Sequence, residues 1–153
     1  MKTIISKTFA LVAVAATLLS FSPNFGGGEG FEISLNGKIV LQRFGKNMDD
    51  VKTLQLNPAS PNDKLTIKYH HCGKVGKNRI VTIKDAQDQL IKTWRFKDVE
   101  TAVGGMSCSV QDIISLKKGS NNVFKLYYSS SELPGGRLLT SIIFDKNLLA
   151  ARK

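Results

Sequence analysis

A spacing of two between apolar residues runs through nearly the whole chain and restricts it to a fold built from strands. Phe31, Ile33 and Leu35 alternate with Glu32 and Ser34, and Leu65, Ile67 and Tyr69 alternate with Thr66, Lys68 and His70. Successive side chains on a strand point to opposite faces, so each run has one apolar face that has to be covered. Turn residues punctuate the runs. Asn36-Gly37 separates residues 31–35 from residues 38–44, and this dipeptide suits a type I′ hairpin turn, whose two central residues both need positive φ. A third strand is expected over residues 51–56, ended by Asn57-Pro58 and by Ser60-Pro61-Asn62-Asp63.

The pattern continues downstream. Residues 79–84 and 89–96 read as a second hairpin across Asp85-Ala86-Gln87-Asp88, where carboxylates can bond their own backbone. Residues 122–129 alternate again. Residues 138–144 are apolar on both faces, as a covered central strand would be, with Pro134-Gly135-Gly136 as the turn leading into them. The single helical spacing is in residues 110–116, with Ser109 as N-cap, Asp112 three residues on and Gly119 closing the end. Short strands at regular intervals, without a strand–helix–strand rhythm, predict a mostly all-β chain. Its expected architecture is an antiparallel β-sandwich, immunoglobulin-like or a jelly-roll variant, with at most one short helix.

The N-terminus has a different character. Lys2 and Lys7 precede an apolar run over residues 9–19, followed by Ser20, Ser22 and Pro23, which is the layout of a secretory signal peptide. That run falls short of the ~20 residues a membrane-spanning helix needs. The expected organisation is a signal peptide over residues 1–22 with cleavage between Ser20 and Gly30, and a glycine-rich flexible leader over residues 23–30. One domain follows over residues 31–148, then a basic tail over residues 149–153. The mature chain is expected to be secreted or periplasmic, with no transmembrane segment and, because the first cysteine is Cys72, no N-terminal lipid anchor.

Charge narrows the partners. The chain carries 22 basic and 12 acidic residues, and removing Lys2 and Lys7 with the leader still leaves a net of +8. Residues 61–97 hold nine bases and three acids, so the excess concentrates in the middle third. A field of this sign draws in polyanions, and for an exported chain the candidates are an anionic glycan, a lipid head group or another envelope polyanion. No helix-turn-helix pattern, zinc-finger spacing or aromatic stacking series is present, so specific nucleic-acid recognition is not expected. Trp94 reads as a core anchor, and a sugar-stacking platform would require Trp94 and Tyr127 on one exposed face.

Cys72 and Cys108 are the only cysteines, and an even count in an exported chain predicts a disulfide, worth about 3–4 kcal/mol for a loop of this span. Residues 70–79, His70-His71-Cys72-Gly73-Lys74-Val75-Gly76-Lys77-Asn78-Arg79, combine both histidines, one cysteine and three basic residues without an acid. Gly73 and Gly76 could let backbone N–H groups approach an anion while Lys74, Lys77 and Arg79 supply charge, which makes these five the candidate anion-binding set. A metal set of His70, His71 and Cys72, with Met106 and Cys108 in support, is a secondary alternative. Adjacent histidines on a strand face opposite ways, so no metal and no cofactor is predicted. No Gly-x-Ser-x-Gly elbow occurs, and a thiol nucleophile would need a base held by a third group. The expectation is a non-catalytic exported binding or structural module at the cell envelope, with a cysteine- or metal-dependent extracytoplasmic enzyme as the alternative.

Overall fold

A computed structural model describes residues 28–56, 62–101, 103–117 and 122–144 of the chain. The expected signal peptide, most of the glycine-rich leader and the basic tail lie outside these residues. Nine strands and one short helix follow in order: β1 Gly30–Leu35, β2 Lys38–Phe44, β3 Lys52–Leu56, β4 Lys64–His70, β5 Ile80–Lys84, β6 Leu90–Arg95, β7 Met106–Ser109, α1 Val110–Ser115, β8 Val123–Ser130 and β9 Leu133–Phe144. A 3₁₀ turn at Gly45–Asp49 joins β2 to β3.

The strands form two sheets, ordered β2-β1-β4-β7 and β3-β9-β8-β5-β6. This is the all-β sandwich that the alternation demands. The inward residues of both sheets meet between the layers, where Ile33, Ile67, Ile83, Leu126 and Ile142 have 0% exposure. Local chemistry fixes the corners. Asn36 and Gly37 have φ of 51° and 84°, as a type I′ turn requires. At the second hairpin one oxygen of Asp85 accepts from the backbone N–H of Gln87 and of Gln89, each at 2.9 Å. Ser109 caps α1 by accepting from the Asp112 N–H at 3.4 Å.

Several expectations change. One strand pair, β3 with β9, is parallel, and every other pair is antiparallel. Pro134-Gly135-Gly136 belongs to β9, because the reversal happens earlier, at Ser131-Glu132. The proline and glycines sit where the β8–β9 register slips, between Tyr128 and Ser130, so the missing N–H of Pro134 interrupts no regular ladder. Gly30, assigned to the flexible leader, is the first residue of β1 and faces Phe44 and His70, and a Cβ there would collide with the Phe44 ring.

The disulfide is also corrected. Cys72 and Cys108 are both free thiols. Cys108 lies on β7 opposite Leu65, at the start of β4, whereas Cys72 follows the far end of β4. Seven residues of rise at about 3.3 Å each separate the two levels by roughly 20 Å, far beyond the reach of a disulfide. Cys108 faces the core, where burial first and the nearby Asp112 second push its thiol pKa up to about 12, so it remains protonated.

Candidate functional site

The end of the sandwich where β4 finishes, and where β5 and β9 begin, collects most of the polar side chains that the fold holds in place. Two of them are rings that alternation turns inward. Tyr69 on β4 and Tyr128 on β8 come from different sheets and stack with centroids 4.4 Å apart at 18°. His71 continues inward from β4 and packs against both, 4.7 Å from Tyr69 and 5.6 Å from Tyr128. His71 Nε2 lies 2.9 Å from the Tyr128 hydroxyl and 3.3 Å from the Ser130 hydroxyl. Gly76 closes over this group, since a Cβ there would stand 2.9 Å from the Tyr128 hydroxyl and 3.0 Å from His71 Nε2.

Acids flank the cluster. Glu29 accepts from the Tyr69 hydroxyl and is paired with Arg137 at 3.4 Å, and Arg137 also reaches Asp49 at 3.1 Å. Glu132 accepts the Lys77 backbone N–H at 2.9 Å, and that bond lowers its pKa. Between them lies a cleft of about 210 Å³ lined by Glu29, His71, Cys72, Lys74 and Glu132. Cys72 and Gly73 form the rim in a second type I′ turn, with φ of 52° and 84° and the Lys74 N–H donating to the His71 carbonyl at 3.1 Å. Asn36, Asn78 and Asp88 are the other non-glycine residues with positive φ among the described residues, so Cys72 is the one without the short carboxyl or amide side chain that eases this conformation.

The five residues of the expected anion loop do not converge. Arg79 is 5% exposed and points inward, its Nη1 donating to the Gly104 carbonyl at 2.8 Å and its Nη2 to the Lys97 carbonyl at 2.6 Å. Gly76 is buried under Tyr128, and Gly73 serves the turn. Lys74 and Lys77 remain outside, but beside Glu29 and Glu132 rather than around an anion. His70 and His71 point apart as strand neighbours should: His70 lies edge-on to Phe44 at 5.3 Å and 3.8 Å from Glu32, on the outer face. Among the described residues, no group of three or more His, Cys, Asp or Glu side chains is placed to hold a metal ion.

Burial lowers the pKa of His71, and its nearest acids, Glu132 and Glu29, only partly offset this. The unfolded chain therefore binds this proton more readily than the folded one. The stabilisation is complete above the ordinary value of 6.5 and is lost as pH falls through the lower folded value. The thermal midpoint should drop as the solution is taken from about pH 7 to pH 5, and His71→Gln, which cannot titrate, should flatten that slope. An equal slope in the variant would place the acid sensitivity in the carboxylates instead.

Cations gather elsewhere, on the outer face of the five-stranded sheet. Lys84 and Lys125 are direct cross-strand partners, and Arg95 shares their face through its register with Ile80. Tyr127, Thr82 and Thr93 lie side by side between them. Asp88 takes Lys125 at 2.8 Å and attracts Lys84 at longer range, while the Lys84 ammonium stands 4.5 Å over the Tyr127 ring. Trp94 is on the opposite face, in register with the buried Val81, so Trp94 and Tyr127 do not form one platform. The sequence gives no local sign of the Lys84–Lys125 pair, because the partners are brought together only by the β5–β8 register. No helix among the described residues is long and apolar enough to cross a membrane. Comparison with known proteins finds no matching family and no matching curated protein.

Proposed function

We propose that the chain is an exported β-sandwich binding module that holds an acidic glycan of the cell envelope on the outer face of its five-stranded sheet. The observation that carries this reading is Lys84 standing directly opposite Lys125. Like charges in that relation cost a sheet roughly 0.2–1 kcal/mol, and Asp88, which pairs closely with Lys125 and attracts Lys84 only at longer range, offsets part of this. A polyanion crossing the strands would relieve both and gain Arg95 on the adjacent strand. The face also carries the hydroxyls of Thr82 and Thr93, which suit the hydroxyl groups of a sugar, beside a Tyr127 ring that Lys84 covers and whose hydroxyl donates to Asp88 at 3.1 Å. Export rests on the positive, apolar and polar succession of residues 1–23.

Salt-dependent retention on immobilised heparin tests the reading, with anionic phospholipid vesicles as a second arm. Lys84→Ala combined with Arg95→Ala should weaken heparin binding about tenfold, or ~1.4 kcal/mol, while Lys74→Ala combined with Lys77→Ala leaves it unchanged. The reverse ranking would move the site to the loop. Equal retention of all variants, or binding to vesicles alone, would overturn the glycan reading.

A further inference from the structure

The cationic face already holds an anion of its own. Asp88 ends the turn between β5 and β6 and reaches β8, where its Oδ2 lies 2.8 Å from Lys125 Nζ and its Oδ1 accepts from the Tyr127 hydroxyl at 3.1 Å. Both carboxylate oxygens are engaged, and Lys84 adds its attraction at longer range. The bond to Lys125 first, and the Tyr127 hydroxyl after it, hold the Asp88 carboxyl below its ordinary value, so the group stays charged in its seat at neutral pH. The two acids of this turn are used differently. Asp85 closes the turn by accepting from the backbone N–H groups of Gln87 and Gln89, whereas the Asp88 carboxylate is given to side chains of the neighbouring strand. The Asp88 side chain is 54% exposed, so water and ions reach the pair, and ion pairs open to solvent hold weakly.

We propose that Asp88 is a built-in stand-in for the ligand's anionic group, and that a uronate carboxylate of the glycan binds by displacing it and taking over its contacts to Lys125 Nζ and the Tyr127 hydroxyl. This rests on the glycan reading and adds what that reading leaves open: which acidic group is recognised, and which residue restrains its binding. A carboxylate is the group the seat already fits, since its two oxygens meet one ammonium group and one phenolic hydroxyl at the same time. Exchange requires only rotation of the Asp88 side chain into solvent. The backbone can keep its place, because the Asp88 N–H donates to the Asp85 carbonyl at 3.1 Å independently of the carboxylate. The site therefore restrains itself. Asp88 weakens the attraction of the face for every anion, and weakens binding most for the anion that needs its seat.

Titrations at one ionic strength test it, with polygalacturonate, whose anionic groups are all carboxylates, with dextran sulfate, whose anionic groups are all sulfate esters, and with heparin. Asp88→Gly vacates the seat without straining the turn, since a φ of 62° suits glycine. Asp85→Asn is the matched control: it removes the same charge from the same turn and keeps an oxygen for Gln87 and Gln89. Asp88→Gly should bind polygalacturonate about tenfold more tightly than the parent chain, and Asp85→Asn no more than about twofold more tightly. Asp88→Asn, equally suited to that φ, should move the same way by a smaller factor, because its neutral amide still fills the seat. Dextran sulfate should gain no more from Asp88→Gly than from Asp85→Asn. Adding Tyr127→Phe to Asp88→Gly should take back part of the polygalacturonate gain, since the vacated hydroxyl is a ligand contact. Equal gains from Asp88→Gly and Asp85→Asn would make Asp88 one charge among several and overturn the proposal while the glycan reading stands. Equal gains for both polymers would overturn the choice of a carboxylate. Binding of neither heparin nor polygalacturonate by any of the chains would overturn the glycan reading itself, and this proposal with it.

Discussion

Tyr128→Ala should lower the free energy of unfolding by about 4 kcal/mol, moving a urea midpoint down by roughly 2 M with the slope unchanged. Tyr128 is 1% exposed and is sandwiched where the two sheets meet, its ring stacked on Tyr69 and its hydroxyl on His71. Removing the ring leaves a cavity that cannot collapse easily, because the walls are two strands from opposite sheets and the buried backbone at Gly76. It also exposes His71 Nε2 to the void with only the longer Ser130 contact remaining. Tyr128→Phe separates the two contributions. It keeps the packing, removes the 2.9 Å hydrogen bond, and should cost only about 1 kcal/mol. If the two variants were equally destabilised, the hydroxyl rather than the ring would be what holds this end of the sandwich together.

What could be read from the sequence was whatever a few neighbouring residues decide. Asn36-Gly37 fixes its turn through the φ values both residues accept, Asp85 closes its turn with its own carboxylate, and Ser109 caps α1 at a distance of three residues. Alternation also placed Leu65, Ile67 and Tyr69 inward correctly, since a strand with one covered face has no other solution. Features that depend on which strands become neighbours were not accessible. The even cysteine count pointed to a bridge, yet the thiols end at opposite ends of β4, a consequence of the β4–β7 register alone. Glu29 looked like part of a flexible leader because glycines surround it in sequence; its role follows from Tyr69 and Arg137, which arrive from β4 and β9. The run of bases over residues 74–79 suggested one electropositive loop, but alternation sends Arg79 inward at the head of β5 and leaves Lys74 and Lys77 outside.

That inward turn makes Arg79 the second sensitive position. Its guanidinium is buried, has no carboxylate partner among the described residues, and is held by the carbonyls of Lys97 and Gly104. It thereby pins the segment between β6 and β7, which has no strand pairing of its own among the described residues. Two effects oppose each other in Arg79→Met. The variant loses two hydrogen bonds to a charged donor, about 1.5–3 kcal/mol each, and leaves two carbonyls without their donors. It also relieves the desolvation of a buried cation whose Nε has no partner, a cost of several kcal/mol in its own right. The net loss should therefore be about 2 kcal/mol, smaller than the bond count alone implies. The segment between β6 and β7 should respond more than the fold as a whole, since the carbonyls can regain water only by moving outward. Amide exchange should show residues 97–104 opening in Arg79→Met while the amides of β1, β4 and β8 slow or quicken only with the change in global stability. Gly104→Ala should give the same local opening by a different route, because its Cβ would stand 2.8 Å from Arg79 Nη1 and 2.6 Å from Val99 and would push the guanidinium off the carbonyl. Unchanged exchange over residues 97–104 in both variants would mean that the segment is anchored by Phe96 and Val99 packing, and that the buried charge is a cost the fold bears without structural return.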